Sequence, residues 1–265
     1  MGFHSVVEIH ALAEAMRHAY VDRNNALGDP EVVSNPIDRL TSKDYAARIR
    51  ATIDPDKPTP SAALRAGSPP HEGTQTTHYS VVDGAGNAVA VTYTVNNWFG
   101  AAVVAPGTGF VLNDEMDDFT VKPGSPNLFG LIQGERNGIA PGKRPLSSMT
   151  PTLVLKDGKL VLVLGSPGGP RIITATLETI VNVIDHHMSL AEAVAAPRIH
   201  MQWLPDQIAV ERGALDPAVS AGLEARGYKL VEQHPWSSVE AIAVAGSMLQ
   251  GVNDPRRPGG AAVGF

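Results

Sequence analysis

Three stretches of this chain carry residues able to do chemistry: a threonine heading an alternating segment, a dense acidic run and a glycine-rich turn. Thr76 opens Thr76-Thr-His-Tyr-Ser-Val-Val-Asp83, directly after a stretch rich in Pro, Ser and Gly that ends at Gln75. A threonine in that place can be an ordinary first residue of a strand. It becomes a nucleophile if the peptide bond ahead of it is cut. The freed residue then carries a hydroxyl and its own α-amine, a base with an intrinsic pKa of about 8. That amine is covalently held beside the hydroxyl it must deprotonate, so no separate histidine is needed.

The run Asn113-Asp-Glu-Met-Asp-Asp118 places four carboxylates in the five positions 114–118. It suits a solvated turn or a site for a positively charged group. A calcium loop would alternate oxygen ligands around a Gly and close with a Glu, and this run does neither. Gly165-Ser-Pro-Gly-Gly-Pro-Arg171 follows a strand pattern and opens a helical one. It reads as a tight strand-to-helix turn, or as a turn whose backbone N–H groups receive an anion at a helix N-terminus. Its spacing matches neither a P-loop nor G-x-G-x-x-G.

Other chemistries are excluded by pattern. No G-x-S-x-G elbow occurs, and Ser147-Ser148 sits in Arg144-Pro-Leu-Ser-Ser-Met149 with nothing nearby to mark a serine nucleophile. The nine histidines are scattered without H-E-x-x-H, and His186-His187 closes a helix, where a cation is favourable. With no cysteine there is no disulfide, thiolate metal site or Cys nucleophile. No metal site and no cofactor are expected. A net charge of −6 with scattered Lys and Arg argues against nucleic-acid binding. No apolar run reaches the roughly 18 residues of a membrane span. The first residues, with polar groups inside their apolar stretch, do not read as a signal peptide.

The elements that must position these residues follow from periodicity. Ile9, Leu12, Ala13, Met16 and Tyr20 mark one face of a helix over 5–20. Thr41-Ser-Lys-Asp44 starts another that reaches Thr52. Residues 54–75 read as a linker or mobile loop. Alternation over 77–82 and 88–94 around Asp83-Gly-Ala-Gly-Asn87 predicts a hairpin. Strands are expected at 151–156 and 159–165, joined by a tight turn at Asp157-Gly158. Helices are expected at 171–185, 190–196 and 216–226, and weaker strands at 207–211, 228–232 and 238–245. Strand runs followed by helices and more strands indicate a layered α+β protein.

Gln75-Thr-Thr-His-Tyr-Ser-Val-Val-Asp83 resembles the self-cleavage junction of γ-glutamyltransferases. Thr92-Tyr-Thr-Val-Asn96, the acidic run, Arg144–Met149, Gly165–Gly169, Ala196-Pro-Arg198, Gln202-Trp-Leu-Pro205 and Asp254-Pro-Arg256 follow in that family's order. Ala19-Tyr-Val-Asp-Arg23 and Leu27-Gly-Asp-Pro30 resemble the tail of its large subunit. The resemblance implies the four-layer αββα sandwich of N-terminal-nucleophile hydrolases, here incomplete. Residues 1–75 would be the large-subunit tail and 76–265 the small catalytic subunit. It implies autocleavage at Gln75–Thr76, attack by Thr76 on the γ-carbonyl of a small γ-glutamyl substrate, and assistance from Thr94. Asn96, Glu115, Asp118, Ser147 and Ser148 would hold the substrate's glutamyl end. Gly168 and Gly169 would form the oxyanion hole, and Phe129, on a lid loop over 122–141, would be an aromatic gate. A large-subunit core, with an arginine for the α-carboxylate, would be supplied upstream or in trans, and the location would be periplasmic or secreted. The rival readings are a cephalosporin (glutaryl) acylase of the same superfamily and an inactive fragment.

Overall fold

The structure is a computed structural model that describes residues 1–61 and 76–264. Gln75, and with it most of the expected 54–75 linker, lies outside the described residues. The elements run α1 (Val6–Ala26), α2 (Ile37–Leu40), α3 (Lys43–Thr52), β1 (Thr76–Val82), β2 (Ala88–Thr94), β3 (Thr152–Lys156), β4 (Lys159–Gly165), α4 (Arg171–Ile184), α5 (Leu190–Ala195), β5 (Ile199–His200), β6 (Ile208–Glu211), α6 (Pro217–Arg226), β7 (Leu230–Gln233), β8 (Glu240–Ala245) and β9 (Met248–Val252). Packing divides them into two compact units. The first holds 1–61, 115–147 and 199–233; the second holds 76–114, 148–198 and 234–264.

In the first unit α1 lies against a three-stranded sheet ordered β5-β6-β7, with α6 completing the layer. Ile9, Ala13, Met16 and Tyr20, spaced at helical intervals, are at most 2% exposed. The first three pack with Ile199, Met201, Ile208, Val210 and Leu223. Gly222 lets α6 come close, since a Cβ there would lie 2.8 Å from Val6 Cγ2. The helix start at Ser42 is a side-chain cap accepting from Tyr45 N at 3.1 Å.

Part of the expected linker is docked. A buried Glu14–Arg17 pair on α1 reaches outward to it. Thr59 N donates to Glu14 Oε2 at 3.1 Å and Ser61 N to Asp206 Oδ2 at 3.1 Å. Arg17 bonds both Asp206 and the Ser61 hydroxyl. His10 Nε2 meets the Asp54 carbonyl at 2.9 Å. The composition of 54–61 concealed this because the groups it offers are mostly its own main-chain N–H and carbonyl groups, which no side-chain pattern announces.

In the second unit β3-β4-β8-β9 form an antiparallel sheet, and β1-β2 form a separate two-stranded sheet. On one face Leu162 and Leu164 of β4 and Ala241 of β8 join Ala175 of α4 and Leu190 and Val194 of α5 in an apolar core. On the other, Ser80 of β1 donates to the Glu240 carbonyl at 3.1 Å, and the His78 ring lies on Gly165. The layers are therefore helices, a four-stranded sheet and the hairpin. Two short elements, α2 and the β5 bridge of Ile199–His200, and the strand β9 were not expected. Gly251 and the polar Gln250 interrupt the alternation of β9. Among the described residues no helix is long and apolar enough to cross a membrane.

A Cβ at Gly165 would run into the His78 imidazole, which is 4% exposed and boxed in by Thr92 and Ser80. Gly165→Ala should therefore destabilise by about 1–3 kcal/mol, read as a lowered midpoint in denaturant unfolding. An unchanged midpoint would mean that the ring can move aside.

Candidate active site

Thr76 is the first residue of β1 and pairs with Thr94, the last of β2. The pairing aligns the two hydroxyls on one face, and Thr76 Oγ1 donates to Thr94 Oγ1 at 3.1 Å. Thr94 Oγ1 also accepts from Asn96 N at 2.8 Å. That second bond turns the chain after β2, with Asn96 in the left-handed region at φ 73°. Asparagine tolerates this conformation, and its Nδ2 donates to the Asp114 carbonyl at 3.2 Å. Thr76, Thr94 and Asn96 are thus joined in one hydrogen-bonded chain. Thr76 is 5% exposed, and Arg257 Nη1 donates to its carbonyl at 3.2 Å.

The hydroxyl that Thr76 bonds belongs to another threonine, not to an imidazole or carboxylate. His78, two residues along the same face, is not available as a base. Its Nδ1 is 2.8 Å from Thr92 Oγ1 and its Nε2 is 3.1 Å from Ser80 Oγ. Burial pushes its pKa down to about 4, so the ring is neutral.

Gly168 and Gly169 follow β4 and precede α4 with φ of 129° and 57°. Only glycine holds the first of these without strain. Their carbonyls receive Arg171 N and Ile172 N, both at 3.1 Å. Their own N–H groups make no bond among the described residues. Two adjacent, half-buried donors at the start of a 14-residue helix are suited to a developing negative charge. Ser148 belongs to this unit and is half-buried.

Glu115, Asp118, Phe129 and Ser147 belong to the first unit. The unit boundary runs through two of the motifs, between Asp114 and Glu115 and between Ser147 and Ser148. Glu115–Asp118 form one 3-10 turn. The Asp118 carbonyl accepts from Gln133 Nε2 at 3.0 Å and Asn137 Nδ2 at 2.6 Å, and Asp117 accepts from Leu128 N at 2.8 Å. The Asp118 carboxyl shares a hydrogen bond with Glu115. Burial, then the Glu115 charge, raise its pKa to about 8, against the opposing pull of Arg23. At neutral pH Asp118 therefore keeps its proton. Arg23, 9% exposed, donates to Gln133 Oε1 at 3.4 Å and to the Leu146 carbonyl at 3.3 Å. Leu146 N donates to Asn137 Oδ1 at 2.9 Å, and Arg144 is fixed by Asp29 at 2.9 Å, which places the exposed Ser147. Phe129, expected as a gate, is 5% exposed, and its carbonyl accepts from Gln202 Nε2 at 3.0 Å. Among the described residues no group of His, Cys, Asp and Glu could hold a metal ion.

Sequence reasoning gave no role to Gln133, Asn137, Asp29 or Arg257. Asp29 and Arg23 lie inside motifs that could have flagged them. Gln133 and Asn137 lie in an aperiodic stretch where nothing distinguishes a supporting amide from a solvated one.

Residues 1–264 match the Gamma-glutamyltranspeptidase family. The chain belongs to that family. It is 56% identical to the glutathione hydrolase proenzyme of Pseudomonas sp. (strain A14) over 275 aligned residues, covering all of this chain and 48% of the relative. It is 41% identical to the Acylase ACY 1 proenzyme of Pseudomonas sp. (strain SE83), over 87% of this chain and 38% of the relative. A crystal structure of a mutant Helicobacter pylori γ-glutamyltranspeptidase superposes with a TM-score of 0.67 at 53% identity, over 68% of this chain and 99% of that one. The fold is thus the α+β fold of N-terminal-nucleophile hydrolases. The chain spans about half the length of the curated relatives it matches.

Because the folded pKa of Asp118, about 8, lies above the roughly 3.9 of an unfolded aspartate, its contribution to stability is full below the lower value and is lost as pH rises through the upper one. Carboxyl carbon NMR should show Asp118 titrating far above the ordinary range. Glu115→Gln should lower that midpoint by removing the neighbouring charge; an unmoved midpoint would assign the shift to burial alone.

Proposed function

We propose that this chain carries the catalytic machinery for γ-glutamyl transfer, with Thr76 as an N-terminal nucleophile. The observation that carries the reading is the Thr76 hydroxyl, held by Thr94 at the head of β1 with no acidic or imidazole partner among the described residues. A nucleophile so placed needs its base from elsewhere, and cleavage of the Gln75–Thr76 bond would provide it as the Thr76 α-amine. The proenzyme names of the relatives agree with such a cut.

In the proposed reaction the amine takes the hydroxyl proton as Oγ1 adds to the γ-carbonyl carbon of glutathione or a related γ-glutamyl compound. The oxyanion is received by the N–H groups of Gly168 and Gly169. Preorganised donors of this kind contribute about 2.7–4 kcal/mol each where they have been removed by mutation. Collapse breaks the C–N bond, the Thr76 α-ammonium returns its proton to the departing substrate nitrogen, and a γ-glutamyl ester is left on Thr76. Water then releases glutamate, or an amino-acid or peptide amine takes the acyl group. Glu115 and Asp118 would pair with the substrate's ammonium, and Asn96, Ser147 and Ser148 would hold its carboxylate end. Phe129 would act from the lid segment. The remaining large-subunit core is assigned to a segment upstream or in trans, and the location to the periplasm or exterior, both from family membership alone.

The acylase reading has support in the 41% identity to an acylase proenzyme. Against it stands the acidic turn of Glu115, Asp117 and Asp118, which suits an ammonium-bearing head better than a glutaryl chain. Comparing hydrolysis of a γ-glutamyl and a glutaryl anilide separates the two. Mass spectrometry of active protein should find a fragment beginning at Thr76, absent in Thr76→Ala along with all activity. Full activity from an uncut chain would refute the proposal, and a cut chain without turnover would favour the inactive fragment.

A further inference from the structure

The segment entering β8 holds an unusual residue within the second unit. Ser237 has φ 61°, a left-handed conformation that non-glycine residues seldom adopt. Its Oγ is buried and has no hydrogen-bond partner among the described residues, although buried hydroxyls are as a rule satisfied. It also lies against Gly168. A Cβ added to that glycine would collide with Ser237 Oγ and would sit 3.3 Å from Ser237 Cβ and 3.5 Å from its Cα.

The surroundings hold this arrangement from both sides. The Arg171 guanidinium stacks over the Trp236 ring at 4.5 Å. The Trp236 carbonyl accepts from Arg198 Nη1 at 3.0 Å, and Arg198 is ion-paired to Asp254. Asp254 Oδ2 accepts in turn from Val239 N at 2.8 Å. Burial opposes ionisation of Asp254, but Arg198 and Arg256 outweigh it and hold its pKa below the usual value, so the anchor is charged. Strain persists where neighbouring structure over-determines it, and it gathers at functional sites. Among the described residues, a strained backbone, an unsatisfied hydroxyl and a glycine without room for a side chain thus coincide at the turn whose N–H groups make no bond.

We propose that Ser237 is a catalytic residue: its hydroxyl is a third donor to the oxyanion received by Gly168 and Gly169. This rests on the function proposed above. As Thr76 Oγ1 bonds to the γ-carbonyl carbon, the carbonyl π pair moves to oxygen, and the Ser237 O–H donates a hydrogen bond to it without giving up its proton. When the tetrahedral species collapses the carbonyl re-forms, the C–N bond breaks as the Thr76 α-ammonium protonates the departing nitrogen, and Ser237 returns unchanged.

Ser237→Ala removes the donor. Ser237→Gly removes it while relieving the left-handed strain, so it guards against misfolding. Measured on processed protein with a γ-glutamyl anilide, both should lower kcat about ten-fold or more with KM within two-fold, since the bond forms only in the transition state. The Gly variant should melt no lower than wild type. Retention of kcat within two-fold in either variant overturns the assignment, as does a loss confined to KM or to melting temperature. Wild-type protein is examined in parallel for a γ-glutamyl adduct on Thr76. An adduct with unaffected variants sinks only the role of Ser237; no adduct sinks the underlying reading and this proposal with it.

Discussion

The cross-strand pairing of Thr76 with Thr94 is the constraint on which the second unit turns. A strand's side chains alternate between faces, so a slip of one position would send the Thr76 hydroxyl to the opposite side of the hairpin. The register is held at one end by Thr94, which accepts from both Thr76 and the Asn96 amide. Farther along, His78 fixes it by filling the gap above Gly165 and bonding Thr92 and Ser80. The ring's neutrality matters here. A charged imidazole in that place would lack a counter-ion, and burial removes the charge. His78, two residues beyond the nucleophile, is therefore a spacer between layers.

The first unit solves a different problem, that of keeping two carboxyl groups side by side. Asp118 and Glu115 cannot both ionise cheaply in a partly buried turn, and Asp118 keeps its proton beside Glu115. The main chain of the turn is held independently by the amides of Gln133 and Asn137. Its geometry consequently does not depend on the protonation of the carboxyls it presents. Arg23 bonds both the Gln133 amide and the Leu146 carbonyl, which ties the acidic turn to the segment bearing Ser147.

Much of this was legible in the sequence because it was local. The hairpin, the β3-β4 turn and the α4 and α5 boundaries follow from alternation, Asp-Gly and helical spacing, and the structure places them within a residue or two. The motif residues of the site fall at the ends of those elements. What the sequence hid was non-local. Docking of 54–61 depends on Glu14 and Asp206, distant in the chain. The situation of Ser237 depends on a glycine 69 positions earlier and on a backbone angle that Trp-Ser-Ser-Val does not announce. The split of both polar motifs between units likewise has no signature in composition, since neighbouring residues there differ only in what they pack against.

The make-up of the first unit bears on what a cut ahead of Thr76 would leave. Its apolar core interleaves α1 with β5, β6 and α6, which lie on opposite sides of that bond in the chain. Arg17 and Ser61 grip Asp206 and Trp203 in the same fashion. Scission would therefore yield two polypeptides that share one hydrophobic interior, a nicked body with no reason to come apart under native conditions. Once melted, however, its halves would have to find each other again, so that recovery would slow on dilution, as for an obligate heterodimer.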